Sequence, residues 1–378
     1  TLPSRPVVAV VTDAVYPYHT GGKEMRYHYV LRGLAARGFS VEVHTMRWWE
    51  GPRTLEVEGV RFHALCPRLP LYRGTRRSIL QAVVFAIASV RILRRRVDVI
   101  EADHMPLIPL FPLRVVAWAK RVPLVCTWHE VWGPEYWTEY LGRAGRIGAI
   151  VERLAAHLAD HIVAASAETG RRLVALGIEA QRVTVAPNSV DVERIMAARP
   201  DATAPDVLFV GRLIAHKGAD LLIEALIELH RRGHRTTCAI VGDGPERSRL
   251  DAMVSAGGLG GAVRVLGALE SHDSIYSLMK GARVFALPSV REGFGISVLE
   301  ALTCGVPVVT VDHPDNQSRW LVEHGVTGWL CPPDPSALAK GILDAFALGC
   351  HAVPVPGPGW DAVADRVAEV LHMSMSSR

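Results

Sequence analysis

Residues 284–301 read Val-Phe-Ala-Leu-Pro-Ser-Val-Arg-Glu-Gly-Phe-Gly-Ile-Ser-Val-Leu-Glu-Ala. The run Val284–Leu287 is short and apolar, as expected of a buried strand, and a proline follows it directly. A glycine-bearing loop comes next, and a helix is predicted to begin near Gly295. A strand followed by a loop and a helix is the unit from which parallel α/β sheets are built.

Similar units run along almost the whole chain. The short runs are dominated by Val, Ile and Leu without strict alternation, which predicts parallel strands buried on both faces. Helical patterns lie between them, including Lys23–Arg37, Ala219–Arg232 and Trp360–Met373. The fold class is therefore α/β, with two doubly wound, Rossmann-like domains expected to face a central cleft. The predicted strands are Val7–Thr12, Val41–Thr45, Val97–Ala102, Val122–Trp128, His161–Ala165, Arg182–Ala186, Val207–Val210, Thr237–Val241, Val263–Leu266, Val284–Leu287 and Val306–Thr310.

Proline-rich segments divide this pattern into domains. The expected organisation is a first domain over residues 1–187, a linker over 188–205 and a second domain over 206–357. Residues 358–378 are expected to form a helix that crosses back to the first domain. The Pro/Gly-rich run at 354–359 would carry the chain there.

The composition is that of a globular protein, with 378 residues, 49% hydrophobic and 21% charged. Six cysteines form neither a CxxC pair nor a metal-binding spacing, so a disulfide framework is not expected. Val7–Thr12 reads as a first strand without a cationic region or a cleavage site, so no signal peptide is expected. The apolar stretch Ile79–Val90 is too short to span a bilayer. We therefore expect a cytoplasmic protein, free or peripheral to a membrane.

The net charge of +4 is unevenly distributed. Residues 1–190 carry 25 Lys and Arg against 16 Asp and Glu, whereas residues 191–378 carry 17 against 22. The basic half could attract an anionic acceptor or an anionic membrane, with solvated arginines as the plainer alternative. No nucleic-acid partner is expected, because zinc-finger, RNP-type and aromatic–basic motifs are absent from the sequence.

Two carboxylates stand out in the opening stretch. Glu292 lies in the loop, and Glu300 lies eight residues later on the predicted helix. Glu300 is flanked by apolar residues, so its charge needs a partner, and a carboxylate there can accept hydrogen bonds from vicinal ribose hydroxyls. The N–H groups of Gly295 and Ile296, at the helix start, can bind a phosphate or a sugar hydroxyl.

Two cations follow the first predicted strand of the second domain. Arg212 and Lys217 follow strand Val207–Val210 and can stabilise a leaving diphosphate. Gly242 follows the next strand and permits close approach of a ligand to the backbone. Unpartnered surface cations and a tight turn are the alternatives.

The first half offers two further strand-end candidates. Thr20-Gly-Gly-Lys-Glu24 places Gly22 at a helix start, where a phosphate can approach. His129 follows the strand that ends at Trp128 and can donate or accept a hydrogen bond near neutral pH. Thr12-Asp13 and Asp103-His104 are weaker candidates for the acceptor side. No GxGxxG or P-loop motif supports a dehydrogenase or an NTPase.

Together these motifs resemble retaining glycosyltransferases of family four, which have the two-domain GT-B architecture. The most specific part is the E-x7-E pair Glu292 and Glu300, followed by the Val-Gly-Arg-Leu segment that ends at Lys217-Gly218. Two departures are Asn188-Ser189 in place of Asn-Gly and the absence of a glutamate from the loop Asp312–Trp320.

The resemblance implies a nucleotide-sugar donor as co-substrate, with no metal and no other cofactor. Arg212, Lys217 and Gly22 would bind the diphosphate, and Glu300 the ribose. Glu292 would hold the transferred sugar, and His129 would contact it near the anomeric centre. Backbone N–H groups of Phe294, Gly295 and Ile296 would also bind the sugar, and the nucleotide base would contact backbone at Gly267, Ala268 and Leu269.

The implied activity is transfer of a hexosyl unit from a UDP- or GDP-sugar to a hydroxyl acceptor, with retention of configuration. The acceptor is a glycan, a glycolipid or a natural-product intermediate. A non-catalytic subunit that binds nucleotide sugars and regulates a partner enzyme is the alternative.

Overall fold

A computed structural model describes residues 5–73, 76–269, 271–349 and 359–377. The strands are β1 Val7–Val11, β2 Ser40–Arg47, β3 Thr54–Val57, β4 Val60–Pro67, β5 Tyr72–Arg73, β6 Arg76–Arg77, β7 Val99–Asp103, β8 Leu124–Trp128, β9 His161–Ala164, β10 Val183–Val185, β11 Val207–Val210, β12 Cys238–Val241, β13 Val263–Gly267, β14 Val284–Leu287, β15 Val308–Val311 and β16 Gly328–Cys331. The helices are α1 Gly22–Ala36, α2 Ile79–Ser89, α3 Leu110–Lys120, α4 Gly133–Leu141, α5 Gly145–Leu158, α6 Ala167–Ala175, α7 Val192–Ala197, α8 Ala219–Arg231, α9 Arg247–Ala256, α10 His272–Gly281, α11 Ile296–Thr303, α12 Pro335–Leu348 and α13 Gly359–Ser376.

The chain divides into two compact units, Thr1–Asn188 with Trp360–Arg378, and Ser189–Gly359. The first unit contains an eight-stranded sheet in the order β10-β9-β8-β7-β1-β2-β4-β3. Its pairs are parallel except β3–β4. Successive residues of β1 pack on opposite faces, with Ala9 and Val11 in one apolar cluster and Val8 and Val10 in another. The connections change direction between β1 and β7, which makes this pair the topological switch point.

The second unit contains a six-stranded parallel sheet in the order β13-β12-β11-β14-β15-β16. Helices on both of its faces bury one continuous apolar cluster that includes Phe209, Leu226, Phe285 and Ile342. Here the connections reverse between β11 and β14, so the switch point lies where the loops after these two strands meet. The fold is the α/β class with parallel sheets that the sequence predicts.

The last helix, α13, belongs to the first unit. The ring of Trp360 stacks on Tyr29 of α1 with centroids 5.2 Å apart, and Arg37 pairs with Asp365 at 2.5 Å. Leu371 is fully buried in the same cluster as Leu34. The final helix therefore completes one face of the first sheet. The Pro/Gly-rich run before it lies outside the described residues, apart from Gly359.

Three features differ from the sequence-based expectation. The segment expected to be a linker at 188–205 folds with the second unit from Ser189 onward, and Ile195 of α7 is fully buried there. The hairpin of β3 and β4 is not predicted, because its exposed edge strand has no apolar run. Strand β16 is also missed, since it begins with a glycine and contains no β-branched residue. No helix within the described ranges is both long and apolar enough to cross a bilayer.

Candidate active site

Hydrogen bonds join the loops at the carboxyl ends of the second unit's central strands. Leu213 N–H donates to Asp243 O at 2.9 Å, which ties the loop after β11 to the loop after β12. Val290 N–H donates to His216 O at 3.0 Å, which ties the loops after β11 and β14. Because the strand order places β11 beside β14, residues far apart in sequence meet at the switch point.

An ion pair occupies this switch point. Lys217 Nζ lies 2.5 Å from Glu292 Oε1, and both side chains are largely buried. Ser289 Oγ donates to the same carboxylate oxygen at 2.8 Å. Neither of these bonds uses Glu292 Oε2, so that oxygen is the one that can accept a hydrogen bond from a ligand hydroxyl.

Backbone bonds fix the position of Glu292. Its N–H donates to Asp315 O, and its carbonyl accepts from Gln317 N–H, both at 3.0 Å. Asn316, between them, donates from Nδ2 to Val311 O at 2.7 Å. The loop Asp312–Trp320, which lacks the expected glutamate, therefore holds the backbone of Glu292 in place.

Helix α11 begins beside this ion pair. Gly295 precedes it with φ +90°, a backbone conformation that favours glycine. A Cβ at this position would lie 2.3 Å from Ser318 Cβ, so only a glycine fits without a shift. The N–H groups of Val298 and Leu299 both donate to Gly295 O. The preceding N–H groups at this helix start, including that of Ile296, suit an anion or a hydroxyl.

Glu300 lies on the same helix and accepts a hydrogen bond from Tyr276. The Tyr276 hydroxyl is 3.1 Å from Glu300 Oε1. Burial raises the pKa of Glu300 to about 7, and the tyrosine bond opposes this shift only partly. The carboxylate is thus half-ionised near neutral pH, and a ligand that donates hydrogen bonds to it would favour the ionised form.

The remaining predicted donor residues flank this centre. Gly242 N–H donates to Gly267 O at 2.8 Å, and a Cβ on Gly242 would lie 1.8 Å from Gly211 O. Gly267 ends the edge strand β13 and lies next to the guanidinium of Arg247, and Ala268 and Leu269 follow it in the chain. Arg212 is exposed in the loop after β11. Phe294 is half-buried and packs against the core.

The first unit has its own charged cluster at the β1–β7 switch point. Lys23 Nζ lies 2.8 Å from Asp13 Oδ1 and 2.5 Å from Asp103 Oδ2, and the Arg77 guanidinium binds the other oxygen of Asp13 at 2.7 Å. Burial raises the pKa of Asp103, but the ammonium of Lys23 together with the imidazoles of His104 and His129 outweighs it and holds this pKa well below its usual range. Gly22 is the first residue of α1 and places Lys23 in this cluster.

His129 borders the same cluster. Its Nε2 lies 3.6 Å from Asp103 Oδ1, and Tyr27 approaches it edge-on with ring centroids 6.2 Å apart. Burial lowers the pKa of His129 well below its ordinary value, although the carboxylate of Asp103 opposes this. The imidazole is therefore neutral at physiological pH and can exchange hydrogen bonds without carrying a charge.

Asp103, His104 and His129 are also close enough to act as metal ligands, with one ligand atom of each within 4.8 Å of the others. The charges around them do not fit a divalent cation. The ammonium of Lys23 already neutralises Asp103 at 2.5 Å, and Arg77 adds a second positive charge nearby. We therefore do not assign a metal ion to this cluster.

Two protein-family models cover most of the chain. Residues 20–194 match Glycosyltransferase Family 4, and residues 193–352 match Glycosyl transferases group 1. The chain belongs to glycosyltransferase family 4. The predicted family is thereby confirmed, and the family-four pair Glu292 and Glu300 falls within the group 1 match.

Relatives with assigned names point in the same direction. The chain is 41% identical over 178 residues to an alpha-D-kanosaminyltransferase of Streptomyces kanamyceticus, which covers 44% of this chain and 45% of that protein. It is 31% identical over 251 residues to a glycogen synthase of Mycobacterium tuberculosis, and this match covers 65% of this chain and 59% of that protein. The matched region thus spans about half the length of these relatives.

Solved structures show the same GT-B fold. HepE of Anabaena, in complex with UDP and glucose, has a TM-score of 0.73 at 20% identity, covering 97% of this chain and 100% of that one. Sucrose-phosphate synthase from Thermosynechococcus elongatus has a TM-score of 0.77 at 20% identity, covering 99% and 100%. At this identity the similarity concerns the fold.

The sequence does not single out every residue of these centres. Tyr276 lies on α10, where its helical spacing marks it only as a core residue, and Arg77 lies in a two-residue strand. Lys23 is visible only as part of the glycine-containing helix start. The acidic residues Asp13 and Asp103, which the sequence marks as weaker candidates at strand ends, are the visible signal of the first cluster.

Proposed function

We propose that this family-four protein transfers a hexosyl unit from a UDP- or GDP-sugar to a hydroxyl acceptor with retention of configuration. The observation that supports it most is the Lys217–Glu292 pair at the β11–β14 switch point. Glu292 lies in the loop that leads directly into α11. A cation, a carboxylate and helix N–H groups together suit a ligand that has both a diphosphate and a sugar.

Each group would act on a different part of the donor. The ammonium of Lys217 and the guanidinium of Arg212 would stabilise the charge that develops on the leaving diphosphate. Glu292 Oε2 would accept hydrogen bonds from hydroxyls of the transferred sugar, while Oε1 keeps its bonds to Lys217 and Ser289. The Glu300 carboxylate would accept from the two ribose hydroxyls, which favours its ionised form.

The reaction would exchange one C–O bond for another. The acceptor oxygen bonds to the anomeric carbon on the face from which the diphosphate departs, and the bond between that carbon and the diphosphate oxygen breaks. The acceptor proton passes to a phosphate oxygen of the leaving group, so a nucleoside diphosphate and a glycoside result. The contact of His129 with the transferred sugar, in its neutral form, remains a prediction.

Donor hydrolysis and transfer across UDP- and GDP-hexoses test this proposal. We expect one nucleotide class to raise the thermal midpoint and its sugar to be consumed, with the α or β configuration of the product matching that of the donor by NMR. Glu292→Gln should abolish consumption, whereas Glu224→Gln, the same change on an exposed position of α8, should not.

Two outcomes would contradict the enzyme assignment. Absence of binding to any nucleotide sugar would remove the proposal altogether. Tight binding without hydrolysis or transfer, in the presence of a panel of hydroxyl acceptors, would instead support the non-catalytic regulatory subunit.

A further inference from the structure

Helix α2 of the first unit presents an apolar stripe to solvent. Ile79, Leu80, Val83 and Ile87 lie on its outward side, and Ile79 and Ile87 are 67% and 70% exposed. The helix contains no charged residue. Its polar side chain Gln81 instead faces inward and is fully buried. This polarity is the reverse of a water-facing surface helix, whose outward side is polar.

The two neighbouring helices of the same layer continue this apolar surface. Helix α3 contacts both α2 and α5, and all three cover the same face of the eight-stranded sheet. Trp118 of α3 is 75% exposed, and Ile147, Ile150 and Leu154 form an exposed stripe on α5. We call the outward sides of α2, α3 and α5 the three-helix face. Exposed apolar side chains gathered on adjoining helices are typical of an interaction site.

Exposed cations accompany the apolar side chains. The acidic residue of these three helices, Glu152, is buried and accepts the N–H groups of Trp132 and Gly133. Helix α4, which contacts α5, carries the exposed carboxylates Glu135 and Glu139. Exposed arginines on or beside the three helices include Arg94, Arg95, Arg121, Arg143, Arg146 and Arg153.

We propose that the three-helix face binds the surface of an anionic phospholipid bilayer. A face that combines aliphatic side chains, a tryptophan and arginines matches the boundary between acyl chains and anionic headgroups. A protein partner would need a localised patch of matching shape with an acidic rim. The three-helix face is instead broad and apolar, with exposed arginines spread along it. The proposal does not rest on the proposed function, because membrane binding is measured without a sugar donor.

Vesicle flotation with the whole chain tests it. We expect binding to phosphatidylcholine vesicles that contain phosphatidylglycerol to exceed binding to pure phosphatidylcholine by about tenfold or more at low salt. High salt should reduce the difference, since the arginine contribution is screened. Failure of the wild-type protein to float with anionic vesicles at low salt would overturn the proposal.

A triple substitution locates the binding surface. Ile87→Gln, Trp118→Gln and Ile150→Gln together should lower vesicle binding by about tenfold or more, because the apolar contribution is lost. The matched control changes one exposed tryptophan and two exposed aliphatic side chains of the second unit, as Trp320→Gln, Val326→Gln and Met196→Gln. It should bind vesicles like the wild type. Equal loss in both variants, or in neither, would contradict the assignment to this face.

A charge variant separates the electrostatic part. Arg94→Gln, Arg143→Gln and Arg146→Gln should reduce binding to anionic vesicles and flatten its salt dependence, with far-UV circular dichroism unchanged. Light scattering without lipid measures the oligomeric state and so tests whether a second copy of the chain covers the three-helix face instead. A dimer that the apolar triple variant abolishes would overturn the lipid assignment.

Discussion

In each sheet the order of the connections reverses beside the first strand, yet the buried charges at these two switch points are compensated differently. At the β1–β7 switch point, the carboxylates of Asp13 and Asp103 are buried to within 1% exposure and share the ammonium of Lys23. At the β11–β14 switch point, Glu292 keeps one carboxylate oxygen outside its ion pair with Lys217. Glu300, nearby on α11, has a single hydroxyl partner among the described residues.

This difference indicates distinct roles for one topological position. A cluster in which each buried carboxylate already contacts a cation has little capacity left for a ligand and fixes the ends of β1, β7 and α1 relative to one another. A pair with a remaining acceptor can bind a ligand without first breaking its own contacts. We therefore expect substitutions in the first centre to affect stability most, and substitutions in the second to affect donor use.

The largest expected effect is that of Asp103→Asn on the first unit. It leaves buried Lys23 with one carboxylate instead of two, and removing one partner of a buried pair costs about 3–5 kcal/mol of unfolding free energy. Urea unfolding followed by tryptophan fluorescence reports mainly on this unit, since seven of the nine tryptophans lie in it. The control Asp365→Asn breaks an exposed ion pair of the same unit and should leave the midpoint nearly unchanged. Equal midpoints for the two variants would break the comparison.

Lys217→Met should act on turnover instead. Loss of a cation that stabilises a developing diphosphate charge should lower kcat/KM for the donor by about 100-fold. Its effect on unfolding should be smaller than that of Asp103→Asn, because Glu292 keeps its hydrogen bond from Ser289 and is 8% exposed, against 1% for Asp103. Lys340→Met, which removes an exposed lysine of the same unit, is the control for turnover. If Lys217→Met unfolded the protein as readily as Asp103→Asn while donor use persisted, both centres would be structural.

Gly295→Ala tests whether the start of α11 is built for ligand binding. The new Cβ would clash with Ser318, and the alanine backbone would have to keep a φ of +90° that is unfavourable for it. We therefore expect a loss of about 1–3 kcal/mol in stability together with weaker nucleotide binding. Gly325→Ala has a similar φ of +78° with no atom within 4 Å of its Cβ. It isolates the cost of backbone conformation alone. Unchanged nucleotide affinity in Gly295→Ala would separate this helix start from the donor site.

The smallest expected effect is a pH dependence of donor affinity. Below pH 7 Glu300 is largely protonated and accepts hydrogen bonds poorly, so affinity for a nucleotide sugar should rise by up to about tenfold between about pH 6 and 8. The same raised pKa means that the folded state binds more protons than the unfolded state, so ionisation of Glu300 lowers stability as pH rises through about 7.

Tyr276→Phe and Glu300→Gln distinguish this group from others that titrate. Loss of the tyrosine hydrogen bond destabilises the carboxylate, so Tyr276→Phe should move the affinity midpoint to higher pH. Glu300→Gln should remove the dependence. Calorimetric titration with the intact nucleotide sugar is the suitable measurement, and a profile that survives Glu300→Gln would assign the titration elsewhere.

Local sequence pattern accounts for much of the fold. The strands Val207–Val210 and Val284–Leu287 have the predicted bounds, because an uninterrupted apolar run ended by glycine or proline is a strong local signal. Strand β3 is a four-residue, mostly exposed edge strand that contains Thr54 and Glu56, and it gives no such signal. The proline-rich run before the last helix predicts its return to the first domain, and Trp360–Arg378 lie in the first unit.

The candidate site was predictable residue by residue but not as an arrangement. Lys217 and Glu292 stand at strand ends that the sequence marks, yet their contact depends on β11 and β14 being neighbours. Tyr276 touches Glu300 only because α10 packs beside α11. Partners separated by tens of residues are set by tertiary packing, whereas the motifs report local structure.

The position of α13 has a consequence for how the chain is made. The second unit is encoded within the first, because Trp360, Ala364 and Leu371 fill the core beside α1 only after residues 189–359 have been synthesised. During translation the second unit can fold while one face of the first sheet is still incomplete. A gene fragment that ends before α13 would leave that face exposed, so a stable isolated first unit requires residues 1–188 to be rejoined to the final helix.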